Sequence, residues 1–216
     1  MPDEPFAFIA ERLWLDFVNS DDATRHRGAE RVDAFHSFDS FIRWMGAVRA
    51  LDDERAVAML RRAQQQPTGA SATLHEARRI RNTLRVLAER GGAPPDRAAQ
   101  TAIGEINRIL GRSAGSRSIE PGPDGSFTRS FVTVGDVFAG LLIPIIESAA
   151  DALVSGELVR VRRCADPRCR RLFFDSTRNG TRRWCEMATC GNRAKAARHR
   201  RKEKLTTGTI ERRAAP

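Results

Sequence analysis

Apolar residues recur at helical spacing through most of the chain, then give way to a short end with a different pattern. Trp14, Phe17 and Val18 share one helical face near the start. Phe38, Phe41, Ile42, Met45 and Val48 form the next face, behind Ser37, a residue type that caps helix N-termini. Asp52 caps a helix that carries Val57 and Leu60 and stops before Pro67. Leu74, Ala77, Leu84 and Leu87 mark another helix, closed by the breaker Gly91-Gly92-Ala93-Pro94-Pro95. Ile103, Ile106, Ile109 and Leu110 mark one more. Pro121-Gly122-Pro123-Asp124-Gly125 then joins Ser118–Glu120 to Ser126–Val132 as a small hairpin. A long helix is predicted from Asp136 to Ser155, bent at Pro144. It is apolar on most of its surface, which predicts a place at the centre of the domain.

Ser155-Gly156 reads as a hinge, and the pattern changes beyond it. Leu158, Val159 and Val161 lead into Cys164, and Arg171-Leu172-Phe173-Phe174 follows Cys169. This predicts a hairpin whose turn holds the first cysteine pair, with Phe173 and Phe174 split between the local core and the other domain. Asp175 to Thr181 is a polar loop. Asn192 can cap a helix from Arg193 to Leu205 with a thin apolar stripe of Ala194, Ala197 and Leu205. The fold class is therefore mainly α (α+β). It comprises a helical domain over 1–155 with a small β-hairpin, a treble-clef-like four-cysteine module over 156–206 ending in a basic helix, and a disordered tail over 207–216. The helical domain is expected to fold alone.

Cys164, Cys169, Cys185 and Cys190 are the chain's only cysteines, two Cys-x4-Cys pairs with fifteen residues between them. Each loop can present two sulfurs to one ion, and four thiolates suit tetrahedral Zn²⁺. Four sulfurs would close the coordination sphere, so one structural Zn²⁺ is expected. Two disulfides, another thiophilic metal or a redox pair are the alternatives. The opening MPDEPFAFIAERLW has acidic residues where a secretory signal needs basic ones, which favours a cytoplasmic chain and metal over disulfides.

The net charge is +10 over 216 residues, and its distribution is uneven. From Arg160 to Arg213 there are 18 Lys/Arg against 5 Asp/Glu, whereas residues 1–159 hold 19 against 22. The excess lies beside the cysteines, which points to a polyanion partner such as nucleic acid, with a solvated tail as the plain alternative. The candidate contacts are Arg182, Arg183, Arg193, Lys195, Arg198, Arg200, Arg201, Lys202 and Lys204. Arg193 could instead brace the thiolates. Trp184 could stack on a base, but beside a cysteine it reads better as module core, and His199 reads as incidental. The longest apolar run, Val137 to Ile146, is ten residues, too short to span a bilayer.

The stretch Cys164-Ala-Asp-Pro-Arg-Cys169, Leu172-Phe173-Phe174-Asp175, Arg182-Arg183-Trp184-Cys185-Glu-Met187-Ala-Thr-Cys190-Gly191-Asn192-Arg193-Ala194-Lys195 closely resembles the CGNR zinc finger. Proteins of that family usually carry an N-terminal helical domain, ABATE, and are described as stress-induced transcription regulators or RNA-binding proteins. Leu15-Asp16-Phe17-Val18-Asn19-Ser20 is similar to that domain's opening motif, where Thr is more usual in place of Ser20. The resemblance implies zinc at all four cysteines. In the opening motif, Asp16 and Asn19 are read as local caps or hydrogen-bonding groups; the alternative is that they line a pocket.

These features lead to a DNA-binding transcription regulator, nucleoid-associated in that case, whose helical domain senses a small-molecule or protein effector or forms a homodimer. An RNA-binding protein and a zinc-stabilised protein-interaction module are the competing readings. Aromatic content of 6% without tyrosine disfavours a stacking platform for RNA. Four scattered histidines, saturated thiolates and no nucleophile–base motif argue against an enzyme. No membrane partner is expected.

Overall fold

The structure, a computed structural model, describes residues 6, 8–22, 33–112, 115–121, 127–134 and 138–201; for residues 116–121 and 127–133 it describes the backbone alone. The helical elements are α1 (Leu13–Val18), α2 (Phe38–Ala47), α3 (Asp53–Gln65), α4 (Pro67–Arg90), α5 (Arg97–Arg112) and α6 (Ile143–Val154). A helix over 192–201, α7, ends the described chain.

Local chemistry sets most of the helix starts. Ser37 and Ser40 form a reciprocal capping box on α2, each hydroxyl accepting from the other residue's backbone N–H at 3.1 and 3.0 Å. The Asp52 carboxylate accepts from Arg55 N at 2.8 Å and starts α3. Pro67 opens α4 at a position where a helical N–H is unneeded. The short α1 has no side-chain cap and is held instead by burial of Trp14, Leu15, Phe17 and Val18.

Two expectations need correction. The helix expected over Asp136–Ser155 begins only at Ile143, with Pro144 in its first turn, so the proline starts a helix and does not bend one. Residues 138–142 are turns. The centre of the domain is α4, which touches α1, α2, α3, α5 and the strand Val161–Arg163. A 24-residue helix reaches neighbours that the 12-residue α6 does not.

The expected hairpin is present and longer than read. β1 (Gly115–Pro121) pairs antiparallel with β2 (Phe127–Thr133), from Gly115 opposite Thr133 to Pro121 opposite Phe127. Its turn, residues 122–126, lies outside the described residues. A second hairpin pairs β3 (Val161–Arg163) with β4 (Leu172–Phe174).

Gly156 takes φ +73°, the left-handed conformation that glycine tolerates, and turns the chain out of α6. The segment beyond it folds back onto the helices. A Cβ on Gly92, at the end of α4, would lie 2.4 Å from a Val159 methyl carbon, so this close approach depends on glycine. Val161, Leu172 and Phe174 are buried in the same apolar core as Trp14, Phe17 and Leu84. Phe173 points the other way, into a separate cluster with the four cysteines. The split between the two phenylalanines follows from strand alternation.

Candidate metal centre

The two cysteine pairs arrive from different local structures. Cys164 and Cys169 bracket the turn of the β3–β4 hairpin, where Cys164 N donates to Arg171 O at 3.0 Å and Cys169 N to Asp166 O at 2.8 Å. The Asp166 carboxylate also accepts from Arg168 N at 3.0 Å, tightening the loop. Cys185 precedes, and Cys190 lies within, a π-turn, Met187–Gly191, that runs without a break into α7. Asn192 is thus inside the helix, its side-chain amide donating to Ala188 O at 3.0 Å, and the N-cap is Glu186. The expected cap at Asn192 is displaced by one π-turn because Cys190 must face the other sulfurs.

All four cysteines are buried, and their sulfurs lie within 4.8 Å of one another. Cys185 Sγ is 3.7 Å from both Cys169 Sγ and Cys190 Sγ. A disulfide needs about 2.05 Å. Sulfurs placed about 2.3 Å from a tetrahedral centre stand roughly 3.8 Å apart. The residues therefore fit one structural zinc ion, with no fifth ligand position. Hydrogen bonds from the Cys169 and Cys185 thiols hold Cys164 well below the usual thiol range. Cys169 is pushed up to about 11, first by its hydrogen bond with Cys164. Thiolates this close cannot all ionise together without a cation between them.

Charged side chains brace the centre. Arg193 donates to Cys190 Sγ at 3.1 Å and pairs with Asp166 at 3.0 Å, so it ties the second knuckle to the first. Arg182 donates to the Trp184 and Cys185 carbonyls, pairs with Glu11 at 3.1 Å and lies 4.7 Å from the Phe173 ring centre. Both arginines, candidate nucleic-acid contacts, are half-buried and make these bonds within the protein. Trp184 is half-buried against the zinc cluster beside Ile9, with the Arg183 guanidinium 5.2 Å from its ring centre. Buried Asp175 accepts from the backbone of Thr177 and Arg182, each at 3.0 Å, and fixes the loop between the knuckles.

Lys195, Arg198, Arg200 and Arg201 lie on α7 and are exposed, as are Ala197 and His199. Of the stripe's described residues Ala194 is half-buried and Ala197 exposed, and every described residue of α7 from Lys195 onward is exposed. Lys202, Lys204 and Leu205 lie outside the described residues.

Sequence reasoning missed the contacts that join this module to the helices. The Asn19 side chain is buried and reaches Leu172, accepting from its N–H at 2.9 Å and donating to its carbonyl at 2.7 Å. Its backbone N–H caps α1 as expected, donating to Leu15 O, while its side chain reaches across the chain. The Asp16 side chain bonds locally, accepting from Ile9 N and Ala10 N at 3.0 Å each. Arg85 of α4 donates to Val18 O and Asp21 at 2.7 Å and to Arg170 O at 3.4 Å. Arg12 pairs with Glu157 at 2.7 Å and lies 4.0 Å from the Phe174 ring centre. Asn19 was visible in the opening motif, but nothing local signals a partner 153 residues away.

Two family models match the chain. Residues 11–156 match ABATE, described as "Putative stress-induced transcription regulator". Residues 160–203 match the CGNR zinc finger. No curated protein matches. No helix among the described residues is long and apolar enough to cross a membrane.

Proposed function

Since the chain belongs to the ABATE family and carries a CGNR zinc finger, we propose that it is a DNA-binding transcription regulator that contacts DNA through α7. The observation that carries this reading is the helix itself. It is anchored at its first turn by a zinc ligand and by Arg193, and beyond Ala194 it presents Lys195, Arg198, Arg200 and Arg201 to solvent. A helix fixed at one end and cationic along its free length has the form that enters a major groove or follows phosphates. With Arg193 engaged at the thiolates, base reading falls to Lys195 and Arg198 in the next turns. The half-buried Trp184 supplies no open stacking platform, which favours duplex DNA over unpaired RNA. The helical body would sense an effector or dimerise.

The test is binding of the zinc-loaded full chain to labelled duplex DNA, hairpin RNA and single-stranded RNA across a range of salt. Tighter binding to DNA, with log K falling linearly against log salt, is expected. Preference for either RNA would move the protein to the RNA-binding reading. No binding to any of the three would leave the protein-interaction module.

A further inference from the structure

We propose that the nucleic-acid surface extends beyond α7 onto the first zinc knuckle, where Arg163, Arg168, Arg170 and Arg183 supply a second set of phosphate contacts. The proposal rests on the reading of the previous section and adds a surface to it. Arg163 ends β3 beside Cys164, and Arg168 and Arg170 flank Cys169; all three are exposed, Arg168 with 67% of its side chain in solvent. Arg183 joins them because its carbonyl accepts from Ala165 N, inside the knuckle, at 2.8 Å. Its side chain is exposed too.

Asp166 connects this patch to α7. The buried carboxylate stands 3.6 Å from Arg168 and 3.0 Å from Arg193, so the knuckle adjoins the first turn of the helix. Through Asp166 the cationic knuckle therefore meets the end of α7 from which the helix cations project.

The described carboxylates of the module are buried or partnered. Asp166 and Asp175 are buried, Glu157 is paired with Arg12, and Glu186 accepts from the Thr189 hydroxyl at 2.8 Å. Among the described residues from 157 to 201 no carboxylate is exposed. With no exposed carboxylate among these residues to offset them, the cations present an uncompensated charge that suits a polyanion. The patch is built only of arginine, whose planar fork matches phosphate oxygens. It has no open aromatic ring, because Arg183 covers Trp184. Its contacts are thus to the backbone: they set the register of the duplex and carry no sequence information.

The experiment compares two double variants of the zinc-loaded full chain, Arg163→Ala/Arg170→Ala in the knuckle and Arg198→Ala/Arg200→Ala in α7, by salt titration on duplex DNA. Zinc content and thermal midpoint are measured for each, and both should match the unmodified protein. The knuckle variant is expected to bind all sequences more weakly, with the slope of log K against log salt shallower by about 2. If it keeps the original slope while the α7 variant loses it, the extension onto the knuckle is wrong and the DNA reading stands. If the unmodified protein shows no salt-dependent affinity for nucleic acid, the DNA reading fails and this surface fails with it. The same result would follow if the arginines bound an acidic protein instead.

Discussion

Replacing Asn19 by alanine tests whether the zinc module and the helices are one structure. The Asn19 amide mimics a neighbouring strand, accepting from Leu172 N at 2.9 Å and donating to Leu172 O at 2.7 Å. Asn19 itself is 3% exposed and Leu172 1% exposed, so water has little access to the groups left behind. Each unsatisfied buried group costs about 1–3 kcal/mol, which places Asn19→Ala near 3 kcal/mol. For a protein of this size that lowers the thermal midpoint by about 6–12 °C. The assay is thermal unfolding followed by circular dichroism at a helix-sensitive wavelength, with zinc release followed in the same sample by a coloured chelator. Most of the helical signal comes from α1 to α6, so a lost contact to the zinc module must appear as earlier melting of those helices. Asn19→Asp should do no better, since a carboxylate cannot donate to Leu172 O. A midpoint within about 2 °C of the unmodified protein, or early zinc release with the helices melting as before, would refute the reasoning.

Stripping zinc with a chelator, or Cys185→Ala, is expected to lower the midpoint of the whole protein and not merely to loosen its end. Val161, Leu172 and Phe174 each contribute about 1.5–3 kcal/mol to the shared core. By the same argument a chain ending at Ser155, even if it folds alone, should melt at a lower temperature than the full chain, which circular dichroism can decide. Arg193→Ala should weaken zinc affinity by about tenfold or more in a chelator competition while leaving the salt slope on DNA unchanged, because the side chain touches Cys190 and Asp166. Burial raises the Asp16 carboxyl to about 6 against the pull of its two backbone donors and of Arg171, with Glu11 adding to the rise. The folded state therefore holds a proton that the unfolded state has released, and this contribution, present below about pH 4, is lost as pH rises towards 6. Asp16→Asn should flatten that part of the pH–stability curve and gain about 2–3 kcal/mol over the unmodified protein at pH 7, measured by urea unfolding. An unchanged curve would show that Asp16 does not carry the effect.

The sequence determined what is local. Helix starts were legible at Ser37 and Asp52 because a capping side chain sits within three residues of the N–H it accepts from. The four zinc ligands were legible because a chelating loop is a short-range object, and so was the basic helix, because its composition needs no partner to be seen. The tertiary structure decided the rest. The centre passed to α4, because centrality depends on which helix is long enough to meet the others. Pro144 proved to be a start and not a bend, since a proline is compatible with either and only the packing of residues 138–142 chooses. Arg182 and Arg193, indistinguishable by composition from Arg183 and Arg198, bond within the protein because the knuckles bring carbonyls, Asp166 and a thiolate within their reach. The seam at Asn19, Arg85 and Leu172 joins positions up to 153 residues apart. A buried hydrogen bond of that span depends on how the whole chain is folded, so no window of sequence can display it.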